Sequence, residues 1–246
     1  MRKLSLHFFM ISAFCMTICA TAAHAASRAS DYGNMPDPVG YDTENPLFFE
    51  GSGDILSRTT VDYGNSILAA RQRFSVGLAG RFSLNGEINL QNDFDGPLDG
   101  VSYTGIGGAY RVRDDSIVTD FLAGVKFGGH AATPEYEDVV YSVGARMGKQ
   151  WSWLTIAATL QSSWIFHDTH GLAYIDLSPE VYMRVFSSWR LGAYGMLRKA
   201  TNPDLDAEAM GGKVAAIYGR TMYVGFAQYE FSHSELRFGG RINILF

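Results

Sequence analysis

The stretch "LRFGGRINILF", Leu236–Phe246, decides how the rest of the chain is read. Every second residue is apolar or small: Leu236, Phe238, Gly240, Ile242, Ile244 and Phe246. Between them stand Arg237, Gly239, Arg241, Asn243 and Leu245. A strand sends successive side chains to opposite faces, whereas a helix would scatter both sets around its axis. The stretch therefore reads as a strand with one apolar and one polar face. Leu245 departs from the polar set.

Working outward, the same period of two recurs. In "RFSLNGEINLQ", Phe82, Leu84, Gly86, Ile88 and Leu90 alternate with Ser83, Asn85, Glu87, Asn89 and Gln91. "IVTDFLAGVKF" opposes Phe121, Ala123, Val125 and Phe127 to Asp120 and Lys126. "YIDLSPEVYMRV" opposes Ile175, Leu177, Val181 and Met183 to Asp176, Glu180 and Arg184. The pattern predicts about twelve strands, most about ten residues long, the length of a strand tilted across a bilayer. The expected spans are 53–63, 66–78, 81–92, 101–112, 117–128, 138–148, 152–165, 172–185, 189–199, 212–219, 221–231 and 234–246. Short links such as "AG", "RDDS" and "GR" alternate with longer ones such as "DFDGPLDG" and "KATNPDLDAEAMGG". Short turns at one end and longer loops at the other suit a membrane barrel.

Composition agrees with many strands and turns. Of 246 residues, 47% are hydrophobic, 18% are charged and 27 are glycine. A net charge of −5 argues against a nucleic-acid partner. Residues 1–25 read as a signal peptide: Arg2 and Lys3, then an apolar stretch, then "AHA" at Ala23–Ala25. Both cysteines, Cys15 and Cys19, fall inside it, so the mature chain is expected to have no disulfide or thiol chemistry. Phe14 and Ile18 precede them where a lipoprotein signal needs a small residue. Residues 26–51 show no period and hold three prolines, and are expected to form an irregular periplasmic lead-in. Residues 52–246 are expected to form the barrel.

Alternation alone does not say which face is buried, and a soluble sandwich or lipocalin-like barrel also alternates. The polar face here mixes Arg, Glu, Asn, Gln and Ser, as a water-filled lumen would. Aromatic residues fall at strand ends: Trp151, Trp153, Phe186, Trp189, Tyr218 and Phe246 at one end, Phe94, Tyr136, Trp164, Phe166 and Phe231 at the other. These suit two interfacial girdles. A signal peptide followed by a final alternating strand that closes on phenylalanine resembles the C-terminal assembly signal of Gram-negative outer-membrane β-barrel proteins. The positions that carry the resemblance are Leu236, Phe238, Ile242, Ile244 and Phe246. The resemblance implies an all-β, transmembrane, antiparallel up-and-down barrel in the outer membrane. It also implies contact with outer-membrane lipid and lipopolysaccharide, and insertion by the barrel-assembly machinery. The chain is expected to be a monomer.

The remaining chemistry is sparse. Barrel lipid hydrolases resemble one another in an H-x-S pair, and none of His130, His167, His170 and His233 is followed by serine two residues on. "HSE" at His233–Glu235 would point its histidine and serine to opposite strand faces. "HDTHG" at His167–Gly171 offers two imidazoles without a third ligand nearby. In "DFDGPLDG", Asp93, Asp95 and Asp99 could meet calcium, although the spacing of a helix-loop-helix site is incomplete. "GIGGAY" at Gly105–Tyr110 is followed by no helix and reads as strand glycines. No catalytic residue, cofactor or metal is expected.

The expected function is a porin-like channel, and no enzyme, passing small polar or anionic solutes. Its lumen charges would be Arg58, Arg71, Arg73, Arg111, Arg146, Asp176, Glu180, Arg184, Arg237 and Arg241, with bases outnumbering acids. The alternatives are a closed barrel with an envelope-structural, adhesion or export-accessory role, and an outer-membrane lipid-modifying hydrolase.

Overall fold

The computed structural model describes residues 42–78, 81–96, 99–113, 117–132, 138–166 and 172–246. The expected signal peptide, most of the expected lead-in, Tyr136, His167 and His170 lie outside the described residues.

Twelve strands account for almost all the described residues after residue 54. They are β1 (Ile55–Gly64), β2 (Ile67–Gly77), β3 (Phe82–Asp93), β4 (Gly100–Arg113), β5 (Val118–Gly128) and β6 (Val139–Gln150). The second half holds β7 (Leu154–Phe166), β8 (Leu172–Arg184), β9 (Trp189–Ala200), β10 (Ala207–Tyr218), β11 (Thr221–Glu230) and β12 (Glu235–Leu245). Each pairs antiparallel with its neighbour in sequence, and β12 returns to pair with β1, so the sheet is closed. Closure satisfies the ladder groups that an open edge would leave unpaired. The seam is completed by Phe246 N donating to Ile55 O at 2.8 Å and Ile55 N donating to Phe246 O at 3.3 Å.

The strands follow the expected spans except at β10. That strand was expected from residue 212 and begins at Ala207. Its first half is Ala207, Ala209 and Gly211 inside with Glu208, Met210 and Gly212 outside, an alternation of size more than of polarity. A single 3-10 turn at Pro203–Leu205, capped by Asn202, ends the loop before it. Pro179 lies within β8 although it has no N–H to give. The ladder to β9 lapses there, between Leu177↔Leu197 and Glu180↔Tyr194, without a change of register.

The outer face carries the apolar set. Ile106 is 63% exposed and Leu160 53%, and Val143, Ile175 and Ile242 face the same way. Trp151, Trp153, Phe186, Trp189 and Tyr218 ring the turn end. At the loop end Tyr63 packs edge-on to Phe238 at 5.8 Å and lies 6.3 Å from Phe94. A polar cluster on the outer face is internally satisfied. Gln72 accepts from Thr59 Oγ1 at 2.6 Å and donates to Ser57 Oγ at 3.0 Å.

The inner face is polar as expected over most of its height, but not at the turn end. Tyr182, Ala215, Ile217, Met222 and Val224 form a buried apolar cluster there. Leu245 stands opposite Leu56, and both are buried. Leu245 departs from the polar pattern because that end of the interior is filled rather than wet.

Candidate functional site

What fills it is the chain's own residues 42–50. The irregular lead-in was expected outside the barrel, in the periplasm. Its described end lies inside the wall, and side chains or buried clusters of all twelve strands meet it. Two turns shape the segment, with Asn45 N donating to Asp42 O and Phe48 N to Asn45 O, and the Asn45 side chain accepts from Leu47 N at 2.9 Å. Such side-chain turns are what Asn and Asp do well.

Most side chains of the segment have a specific partner. Asp42 accepts from Tyr182 Oη and from Arg190 Nε, the latter at 2.8 Å. Glu44 accepts from Lys213 Nζ at 3.0 Å, Arg241 Nη1 at 2.9 Å and Asn243 Nδ2 at 2.7 Å. Asn45 donates to Gln150 and Thr155, each at 3.2 Å. Leu47 is fully buried against Val118 and Ala157. The Arg111 guanidinium lies 4.6 Å over the Phe49 ring. Glu50 accepts from Ser75 Oγ and from Ser83 Oγ, the latter at 2.8 Å.

The wall holds the segment's backbone as well. Asp120, fully buried on β5, accepts from Arg111 Nε at 2.7 Å and Arg146 Nε at 2.9 Å. This carboxylate aims both guanidiniums inward. Arg111 then donates to Leu47 O at 2.8 Å and Arg146 to Phe48 O at 3.3 Å. Arg58 donates to Thr43 O at 2.6 Å.

The electrostatics favour ionised carboxylates. Burial pushes the Glu44 carboxyl up, but Lys213, Arg241 and Arg58, with the Asn243 donor, outweigh it and hold the group well below the usual carboxylate range. Glu50 is likewise pushed up by burial and brought below its ordinary value by the Ser75 hydrogen bond, Arg58 and Ser83.

Beside the segment, described residues line two polar cavities of the interior. One, about 310 Å³, is lined by Arg58, Arg71, Arg73, Lys126 and Arg146 against Glu50 and Glu87. The other, about 380 Å³, is lined by Arg58, Arg146, Lys213 and Arg241 against Glu44 and Glu180. Bases outnumber acids in both. Cross-strand pairs partly span the interior. Lys126 meets Glu87 at 3.2 Å, and Gly105 stands between them in register; a Cβ on it would lie 3.1 Å from Lys126 Cγ and 3.3 Å from Glu87 Cγ. Arg198 forks onto Asp176 at 2.7 and 3.1 Å, and Lys213 meets Glu180 at 2.6 Å.

The sequence-derived lumen charges therefore take distinct places. Arg58, Arg71 and Arg73 line the first cavity, Arg73 standing opposite Arg58 and Glu87. Arg111 and Arg146 grip the segment, and Arg241 holds Glu44. Asp176 and Glu180 pair with Arg198 and Lys213. Arg184 stands opposite Arg190, and Arg237 lies 3.8 Å from Asp62. Sequence reasoning left Asp42, Glu44, Asn45 and Glu50 unassigned, because an aperiodic stretch carries no sign of its partners. Leu236, Phe238, Ile242 and Ile244 face outward on β12, as their alternation required.

The side candidates resolve locally. His233 Nδ1 lies 2.9 Å from Glu230 Oε1 on an exposed turn. Asp99 accepts from Asn92 Nδ2 and Asp93 N, and Asp93 accepts from Asp95 N, so these carboxylates build the turn itself. Gly105 and the glycines after it lie in β4.

This architecture is that of the outer-membrane β-barrels: a closed antiparallel barrel with an apolar outer band, two aromatic rims and a polar interior. Among solved structures, the chain is similar to the NanC porin, with a TM-score of 0.64 at 11% identity over 77% of this chain and 98% of that one. It is also similar to the KdgM porin in complex with disordered oligogalacturonate, with a TM-score of 0.61 at 11% identity over 77% and 98%. An outer membrane channel from Pseudomonas putida F1 aligns with a TM-score of 0.53 at 11% identity over 81% and 97%. At such identities the likeness establishes the fold, and function must be argued from the site. No family model matches the sequence, and no curated protein matches it.

Proposed function

We propose that the protein is an outer-membrane channel for small polar solutes with a preference for anions. The observation that carries this reading is the excess of arginine and lysine lining both interior cavities. Fixed charges at close quarters bias which ions enter a narrow passage. The likeness to the KdgM and NanC porins supports a passage through the barrel. In this reading the apolar band sits in outer-membrane lipid and lipopolysaccharide, the barrel-assembly machinery inserts the chain, and one copy is a complete unit.

The test is the reversal potential of the purified barrel across a KCl gradient in a planar bilayer. Anion preference is expected. It should weaken as the screening length falls from about 10 Å at 0.1 M salt to about 3 Å at 1 M. Cation preference would reject the reading. A second reading, a closed barrel with an envelope-structural, adhesion or export-accessory role, is favoured by one observation: residues 42–50 pack against the whole circumference near the turn end. Absence of conductance, even after that segment is removed, would select it.

A further inference from the structure

The barrel wall presents Glu44 with a complete receptor for a carboxylate. Arg241 Nη1 reaches both oxygens, at 2.9 and 3.1 Å. Lys213 Nζ reaches Oε2 at 3.0 Å and Asn243 Nδ2 reaches Oε1 at 2.7 Å. The three donors belong to β10 and β12. The acceptor belongs to a loop-like segment that forms no part of the wall. A guanidinium, an ammonium and a carboxamide converging on one point are a strong set for a planar two-oxygen anion. Asn243 is fully buried, so the set is built into the fold rather than borrowed from the surface.

The place is also roomy. Glu44, Lys213 and Arg241 line the cavity of about 380 Å³, within the range of small-molecule sites of roughly 300–1,000 Å³. Its wall adds Val224, Phe226, Tyr194 and Met196, an apolar and aromatic surface beside the charged donors. That combination suits a carboxylate carried on an apolar body. We propose that Lys213, Arg241 and Asn243 form a carboxylate-binding site on the solute path, occupied at rest by Glu44 and open to a small aromatic or aliphatic carboxylic acid when Glu44 leaves. The placement on a solute path rests on the channel reading; the binding itself does not.

The test uses the full barrel in detergent micelles, with benzoate as the probe and benzamide as its uncharged analogue, read by titration calorimetry. Heat-modifiable gel mobility verifies that each variant is folded. Glu44→Ala should bind benzoate at least about tenfold more tightly than the parent, as hydrogen bonds to a charged group allow, and should leave benzamide unbound. Glu44→Ala combined with Lys213→Gln should lose the gain. Glu44→Gln, which keeps the volume of the side chain and removes its charge, should show a smaller gain in the same direction. The inference is overturned if neither Glu44 variant binds benzoate better than the parent, or if both bind benzamide equally well. The two readings separate in the bilayer. Benzoate binding without conductance in any variant keeps the site and rejects the channel. Anion-selective conductance without benzoate binding keeps the channel and rejects the site.

Discussion

Arg190 on β9 donates its Nε to Asp42 at 2.8 Å, and the guanidinium is fully buried. Its Nη1 donates to the carbonyls of Phe186, Ser187 and Trp189, so one side chain ties the short turn between β8 and β9 to the internal segment. Removing one partner of a buried pair costs about 3–5 kcal/mol, because the other charge is stranded. The three carbonyls lessen that penalty. Asp42→Ala should therefore lower stability by about 3 kcal/mol, measured by urea unfolding in lipid vesicles, and Asp42→Asn by less. No change in either variant would mean that the pair contributes nothing to holding the segment.

The two faces of β7 can be separated by one residue step. Leu160 faces outward between Ala145 and Leu177, whereas Gln161 faces inward beside Asp176. Leu160→Arg should cost about 2–4 kcal/mol in a bilayer, the penalty of a charge facing lipid near the midplane. Gln161→Arg can reach Asp176 and should cost much less while shifting ion selectivity. Equal losses in folding experiments would contradict this division of faces.

Gly77 marks where the segment leaves the wall. A Cβ there would overlap the carbonyl oxygens of Glu50 and Gly51, and backbone cannot swing aside as a side chain can. Gly77→Ala should dislodge residues 42–50 while leaving the ladders between strands in place. The check is hydrogen exchange: amides of residues 42–50 should lose protection and those of β7 should keep it. Full protection in the variant would show that the segment is not seated through this approach.

Acid should release the segment only at low pH. Glu44 faces Lys213 on β10, Arg241 and Asn243 on β12 and Arg58 on β1, and Lys213 also meets Glu180. Its carboxyl is held below the ordinary value of 4.5, and so is that of Glu50. A lowered folded-state pKa contributes stability in full above the free value, and that stability is lost as pH falls through the folded value. Protease resistance of residues 42–50 should thus be unchanged from pH 8 to pH 5 and decline only below about pH 4.5. Release between pH 7 and pH 5 would assign the docking to a group other than these carboxylates.

Much of the fold was legible because membrane strands repeat a short-range rule. Phe238, Ile242 and Ile244 alternate with Arg237, Arg241 and Asn243, and that divides the strand into two faces, of which the structure turns the Arg241 and Asn243 face inward. The start of β10 was not legible, since Ala207, Ala209 and Gly211 alternate with their neighbours in size more than in polarity. Leu245 looked like an exception until Leu56 and the filled turn end came into view. The contacts of Asp93 and Asp99 with Asp95 N, Asn92 and Asp93 N were not legible either, since spacing alone does not say what a carboxylate in a turn will accept from.

The sequence by itself determined a strand-by-strand division of faces, because each side chain's direction depends only on its parity within a strand. It also determined that basic groups would crowd the interior. Tertiary structure alone decided what those groups do. Glu44 finds Lys213 and Arg241, and Asp42 finds Arg190, only after the sheet has closed and brought β9, β10 and β12 around residues near the start of the chain. Nothing periodic links such distant positions; they meet because closure makes the inner face a small enclosed volume in which buried charge must be paired.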